Sequence, residues 1–115
     1  MYQSSYQEIR NDGSQAEREN ESVAFDKALE LLYAAQEHGI GSMQAIEAQF
    51  FVHRLWVFFI EDLTKKENGF DDILKADIIS VGIWVLQEIE RLRQGQSKDF
   101  KNLIEVSKML KQGLS

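Results

Sequence analysis

Cysteine and proline are both absent from the 115 residues of this chain. Without cysteine the protein has no disulfide framework, no cysteine-ligated zinc or iron–sulfur site and no thiol nucleophile. Proline interrupts helices, because it lacks a backbone N–H and its ring clashes with the preceding turn. Its absence therefore favours long, uninterrupted helices.

Long hydrophobic runs are missing as well. The first fifteen residues contain no apolar core of the kind that a signal peptide needs. The most apolar stretch, residues 50–60, contains His53 and Arg54 and is much shorter than the roughly 20 residues of a membrane span. We therefore expect a soluble, cytoplasmic protein without membrane insertion.

Charge is unevenly distributed along the chain, whose formal net charge is −6. Residues 1–38 contain 8 acidic and 3 basic side chains, whereas residues 91–115 contain 2 acidic and 6 basic ones. The acidic balance argues against direct nucleic-acid binding, which needs clustered cations. The basic C-terminal segment has two explanations: it lies beside the acidic first helix, or its lysines contact a membrane surface or nucleic acid.

Glycines and capping residues divide the chain into an N-terminal arm, residues 1–13, and a helical domain, residues 14–115. Ser14 and Glu17 match a capping box, which predicts that the first helix begins at Ser14. Apolar residues then recur at helical spacing until Gly39, which is expected to end the helix. Further N-caps are predicted at Ser42, at Asp71 or Asp72, and at Ser97. The predicted fold is an all-α, four-helix bundle-like single domain with a short N-terminal arm.

The second predicted helix is apolar on almost every side. Its only clear polar line is Glu47, Arg54 and Glu61, at intervals of seven residues. Such a helix is expected to be the central, mostly buried element. A strand is the alternative, because the segment is rich in aromatic and β-branched residues, but its flanking residues favour a helix. In the third helix Gly82 lies on the inner face, and we expect a bulky ring from a neighbouring helix to pack against it.

The sequence contains no candidate active site. The carboxylates lie where solvated helix positions are expected, and no glutamate–histidine pair has the spacing of a ferritin-type metal site. His53 is interpreted as a histidine of the core or its boundary and not as a ligand. No serine has a plausible base. The sequence therefore predicts no catalytic residues, no metal site and no cofactor, and a protein that is not an enzyme.

Aromatic residues in unexpected places are the candidates for partner binding. Tyr2, Tyr6 and Ile9 have i, i+4, i+7 spacing, so a short helix would present them together. This segment either folds back and seals the bundle or is an arm that docks a partner. Trp84 lies on the polar side of the third helix. It either packs beneath an extra segment or anchors a partner.

Several motifs, in order along nearly the whole chain, resemble those of the flagellar biosynthesis regulator FlaF family. They are Met1-Tyr2 with Tyr6, Phe50-Phe51-Val52, Leu55-Trp56, Ile60-Glu61-Asp62-Leu63, Ile79-Ser80-Val81-Gly82-Ile83-Trp84-Val85, Glu88 with Glu90, Phe100 with Leu103-Ile104 and Val106, and Gly113-Leu114. The aromatic residues that recur in the family match Tyr2, Tyr6, Trp56 and Trp84. The resemblance provides no catalytic residues.

The resemblance implies a function in the assembly of bacterial flagella. Members of the family are small helical cytoplasmic proteins of alphaproteobacteria that promote flagellin production and export. The implied partners are flagellin, whose unassembled terminal segments are amphipathic and prone to aggregate, and the regulator FlbT. We therefore expect a flagellin-binding regulator that acts as a secretion chaperone. The alternative is a post-transcriptional regulator that acts with an RNA-binding partner on flagellin messenger RNA.

Overall fold

The computed structural model describes the backbone of residues 6–65 and 70–114, and the side chains of residues 22–65 and 70–113. Within these residues the chain forms four α-helices and no strand. They are α1, Tyr6–His38; α2, Met43–Leu63; α3, Asp72–Arg93; and α4, Lys101–Leu114. The predicted all-α, four-helix fold is confirmed, and the apolar middle of the chain is helical rather than extended.

Helix α1 begins earlier than the sequence indicated. It starts at Tyr6 and continues without a break to His38, so that Gly13 and Ser14 both lie inside it. The predicted helix start at Ser14 is therefore wrong. A single glycine inside a helix costs only about 1 kcal/mol relative to alanine, which is too little to end a helix whose flanking residues favour that conformation. The role of residues 1–13 as an arm stays a prediction.

Ser42 connects the end of α1 to the start of α2. Gly39 has a φ of 96°, a left-handed conformation that suits glycine, and its N–H donates to the carbonyl oxygen of Ala35 at 2.8 Å. The Ser42 hydroxyl donates to the carbonyl oxygen of Gly39 at 2.6 Å and accepts from the N–H of Ala45 at 3.1 Å. Both predictions, the Gly39 terminus and the Ser42 cap, are confirmed.

The start of α3 follows the sequence prediction, whereas the start of α4 does not. The Asp71 carboxylate accepts from the N–H of Leu74 at 2.8 Å and so caps α3. Ser97 does not cap α4, which begins at Lys101. Its hydroxyl instead donates to a carboxylate oxygen of Glu88 at 2.7 Å. A buried carboxylate needs hydrogen-bond donors, and this requirement explains why Ser97 is held against α3.

The basic helix α4 packs on α1. The N–H of Phe100 donates to the side-chain oxygen of Gln36 at 2.8 Å, and Lys111 pairs with Asp26 at 2.6 Å. The side chains of Phe100 and Leu103 are buried in the core. These contacts support the first explanation of the basic segment, that it complements the acidic first helix.

Trp56 of α2 lies at the point where three helices meet. It is 1% exposed, and its ring makes an edge contact with Phe25 of α1 at 5.6 Å between centroids. On its other side it faces Gly82 of α3, where a Cβ atom would lie 2.6 Å from the ring. The expectation that a bulky ring packs against Gly82 is confirmed.

Helix α2 packs against α1 and α3 but is not enclosed by its neighbours. Its buried residues are Ala45, Ala48, Val52, Trp56, Phe59 and Leu63. These occupy one side only, so the prediction that α2 is buried on most sides is wrong. No helix in the described part of the chain combines the length and apolarity that crossing a bilayer requires.

Candidate partner-binding face of helix α2

One side of α2 exposes a row of large apolar side chains around a single arginine. We define the α2 face as Met43, Ile46, Phe50, Arg54 and Phe58. The four apolar members are 75%, 58%, 64% and 60% exposed, respectively. Taking about 200 Å² for a phenylalanine side chain, the two rings alone leave on the order of 250 Å² of apolar surface in contact with water. Apolar patches that reach a few hundred Å² commonly mark binding sites.

The helical repeat places these residues on the outside. Buried positions in α2 follow a spacing of three or four residues from Ala45 to Leu63, which turns that side towards α1 and α3. Phe50 and Phe58 are each four residues from Arg54, so the three side chains lie one above another on the opposite side. None of the described helices covers either ring.

Arg54 is held against both exposed rings. The centre of its guanidinium group lies 5.6 Å from the centroid of the Phe50 ring and 6.0 Å from that of the Phe58 ring. These distances are in the range of cation–π attraction. The charged group therefore lies in the middle of the apolar face instead of extending away into solvent.

Two grooves flank the α2 face. The first lies between α1 and α2, has a volume of about 480 Å³, and is lined by Leu31 of α1 together with Phe50, Phe51 and Leu55. Lys27, Glu47 and Arg54 supply its polar groups. The apolar lining suits the apolar side of a helix, which is a common way of recognising peptides.

The second groove lies between α2 and α3 and shares Phe50 with the first. Its volume is about 570 Å³, and Leu86 and Ile89 of α3 line it opposite Ile46. His53, expected in the core or at its boundary, is exposed and lines this groove. Because both grooves adjoin Phe50, they and the α2 face form one continuous surface.

A salt bridge between Glu90 and Arg93 lines the second groove. Arg93 donates to the carboxylate of Glu90 at 2.6 and 3.1 Å. These hydrogen bonds hold the pKa of the Glu90 carboxyl below its usual value of 4.5 and raise the pKa of Arg93. Both groups are therefore charged at neutral pH, and the pair is already neutralised before any partner binds.

The residues that define the α2 face do not include the four predicted for partner binding, which are Tyr2, Tyr6, Ile9 and Trp84. Tyr2 lies outside the described residues, and so do the side chains of Tyr6 and Ile9, although the backbone of these last two belongs to α1. Trp84 is half-buried and packs against the core. This environment is compatible with both explanations of Trp84, packing beneath an extra segment or anchoring a partner. A role of the four predicted residues in binding stays a prediction.

The α2 face itself was not predicted from the sequence, although a signal for it is present. A helix that is apolar all round has too few neighbours to cover every side when the described chain forms only four helices. The polar line through Glu47, Arg54 and Glu61 marks the side that remains exposed. Phe50 and Phe58, at four residues on either side of Arg54, belong to that side by helical geometry.

Within the described residues, no group of three or more histidine, aspartate or glutamate side chains is arranged so that it could hold a metal ion. The features that the structure brings together here are apolar rings, open grooves and one exposed guanidinium group. Such an arrangement suits the binding of another polypeptide.

Comparison with known proteins provides the family. The sequence matches no curated protein and no solved structure. A family model described as flagellar protein FlaF matches residues 2–114, which is nearly the whole chain. The match agrees with the resemblance that the aromatic and helical motifs indicated. This chain therefore belongs to the FlaF family of flagellar proteins.

Proposed function

We propose that this protein binds flagellin in the cytoplasm and acts as a secretion chaperone that promotes flagellin production and export. Membership of the FlaF family supports a role in the flagellum. The observation that carries the proposal is the exposure of Phe50 and Phe58 on α2, 64% and 60% respectively, between two apolar grooves. Exposed rings that lie together and adjoin apolar grooves form the kind of contiguous patch that commonly marks a binding site.

The grooves match the needs of an unassembled flagellin segment. An amphipathic helix that has not yet joined a filament must cover its apolar side or aggregate, and a groove between two helices offers that cover. Phe50 lines both grooves, so a helix docked in either one would contact this ring. We propose the α2 face as the flagellin-binding surface, and FlbT as a further partner.

The proposed role is binding rather than catalysis. The net charge is compatible with an exposed apolar binding surface. The net charge of −6 favours repulsion between copies of the carrier, which keeps exposed apolar surface from causing self-association. On the α2 face itself the central charge is positive, so the repulsive surface lies elsewhere on the molecule.

The decisive experiment is calorimetric titration and co-elution with purified flagellin, using the wild type and the double variant Phe50→Ala/Phe58→Ala. Rings at the centre of an interface commonly contribute about 2 kcal/mol or more, so we expect the double variant to bind at least about thirtyfold more weakly. Its helical circular dichroism and melting temperature should stay close to those of the wild type, because both rings are largely exposed.

Tyr33→Ala is the matched control. Tyr33 is also an exposed aromatic residue, at 49%, but it belongs to α1 and lies outside both grooves as their lining residues define them. We expect this variant to bind flagellin as the wild type does. If the wild type gives no heat and no co-elution at micromolar concentration, flagellin binding is refuted. If the double variant binds normally, the α2 face is the wrong surface.

A further inference from the structure

We infer that the α2 face selects a flagellin helix that carries a carboxylate among its apolar anchors, and that Arg54 is the ionic partner of that carboxylate. The inference rests on the proposed function and adds the chemistry of the bound segment. It comes from the contrast between Arg54 and the paired arginines elsewhere in the described structure.

Three arginine side chains are described: Arg54, Arg91 and Arg93. Among them, Arg54 alone has no described carboxylate within 4.0 Å. Arg91 pairs with Glu88 at 2.8 Å, and Arg93 pairs with Glu90 at 2.6 Å. The nearest acidic residues on the same side of α2 are Glu47 and Glu61, each seven residues away. That separation is about 10 Å along a helix, and among the described side chains neither carboxylate forms an ion pair with Arg54.

The position of Arg54 between two rings makes this lack of a partner important. Any polypeptide that covers both Phe50 and Phe58 also covers the guanidinium group that lies between them, 5.6 and 6.0 Å from their centroids. Covering the rings removes water from the charge. A charge taken out of water without a counter-ion is strongly unfavourable. A segment with only apolar side chains at this point would therefore bind poorly, whereas an aspartate or glutamate there restores the pairing.

The shape of the guanidinium group adds specificity. Its planar set of N–H donors can bind both oxygens of one carboxylate at once. The two rings attract the group before binding, which lowers the side-chain freedom that is lost when the pair forms. Flanking apolar residues of the partner would lie on Phe50 on one side and Phe58 on the other.

A second copy of this chain fits the face less well. In a symmetric dimer the residues at the centre of the shared surface lie near their own counterparts. Because Arg54 lies at the centre of the α2 face, the two guanidinium groups would approach each other. Each copy also has a net charge of −6, which adds repulsion.

The first test compares Arg54→Glu with Lys101→Glu in titrations against purified flagellin. Both substitutions lower the net charge by the same amount, but Lys101 is exposed in the first turn of α4, a helix that packs on α1. We expect Arg54→Glu to weaken binding at least about tenfold and Lys101→Glu to change it less than about threefold. Circular dichroism of both variants checks that they are folded.

The second test is a charge exchange across the interface. Each aspartate and glutamate of the flagellin terminal segments is replaced in turn by arginine, and each variant is titrated against Arg54→Glu. The inference expects one flagellin variant that binds wild-type protein weakly and recovers at least about tenfold with Arg54→Glu. Recovery at one position and not at others identifies the partner carboxylate.

The outcomes separate this inference from the proposed function. If Phe50→Ala/Phe58→Ala loses flagellin while Arg54→Glu retains it, or if no exchange restores binding, the ionic pairing is refuted and flagellin binding stands. If wild-type protein binds no flagellin, the proposed function itself fails. Sedimentation of the free protein tests the remaining alternative, in which a second copy of this chain occupies the α2 face. If the wild type is a dimer that Phe50→Ala/Phe58→Ala dissociates, the second copy is the occupant and the inference is overturned.

Discussion

Gly82 provides the sharpest test of how α2 and α3 pack. The backbone of α3 approaches Trp56 so closely at this residue that a Cβ atom would lie 2.6 and 2.8 Å from two ring carbons and 2.9 Å from Cδ1 of Ile60. The ring cannot move aside easily, because it is 1% exposed and packs against Phe25 and Phe59. Adding a methyl group at residue 82 therefore forces the two helices apart.

Two effects of opposite sign determine the stability of Gly82→Ala. Alanine has a higher helix propensity than glycine, by about 1 kcal/mol. Overpacking of a well-packed core typically costs about 1–3 kcal/mol, and contacts this short with a fixed indole ring belong in the upper part of that range. We expect a net loss of about 1–2 kcal/mol in the free energy of unfolding, and a larger loss for Gly82→Leu.

The assay is thermal and urea unfolding followed by circular dichroism in the helical band. A loss of about 1–2 kcal/mol corresponds to a fall in melting temperature of roughly 4–8 °C or more for a domain of this size. Gly113→Ala is the control, because this glycine also lies in a helix but has no neighbouring atom within 4 Å of the position that a Cβ would occupy. It should be as stable as the wild type or more so. If Gly82→Ala melts at or above the wild-type temperature, the close approach has no energetic consequence and the reasoning is refuted.

Two further substitutions test the polar contacts that connect the helices. Ser42→Ala removes the oxygen that accepts from the N–H of Ala45, and we expect urea unfolding to show a loss of about 1 kcal/mol; an unchanged midpoint would contradict the cap. Glu88→Ala leaves the hydroxyl of Ser97 without its acceptor at 2.7 Å. A loss of about 1–3 kcal/mol is expected, and wild-type stability would show that the buried carboxylate does not hold the segment before α4.

The helices themselves could be predicted from the sequence wherever a local signal decides them. Ser42 and Asp71 cap α2 and α3 because their side-chain oxygens satisfy backbone N–H groups a few residues away. Gly39 ends α1 through its own backbone conformation. The contact at Gly82 was also predictable, since a glycine on the apolar side of a helix usually has a neighbour that needs the space.

Predictions of helix starts failed at two serines whose local sequence matches an N-cap. Ser97 has the chemistry of a cap, but Glu88, nine residues earlier, takes its hydroxyl. Nothing in the local pattern around Ser97 indicates that a buried carboxylate lies beside it. At the other end of the chain, Ser14 and Glu17 match a capping box, yet the helix already begins at Tyr6. A capping box marks a possible start and does not prevent a helix from forming before it.

The candidate site was predictable only in part, because its identity depends on which side of α2 the other helices leave open. The composition of α2 allows either complete burial or one exposed apolar side, and the choice is made by the packing of α1 and α3. Once those helices contact Trp56, Phe50 and Phe58 have no partner within the described chain that could cover them.

Under the proposed function, stability and binding depend on different sides of the same helix. Trp56 turns one side of α2 towards Phe25 and Gly82, whereas Phe50 and Phe58 turn the other side towards water. Substitutions on the Trp56 side should change the melting temperature and, in the fraction that stays folded, leave flagellin affinity unaltered. Those on the Phe50 side should do the reverse. The helical repeat keeps the two sides apart, since the interval of six residues from Phe50 to Trp56 turns a helix by about 600°, which leaves the two side chains about 120° apart. The packing of α1 and α3 on the Trp56 side then leaves the Phe50 side exposed.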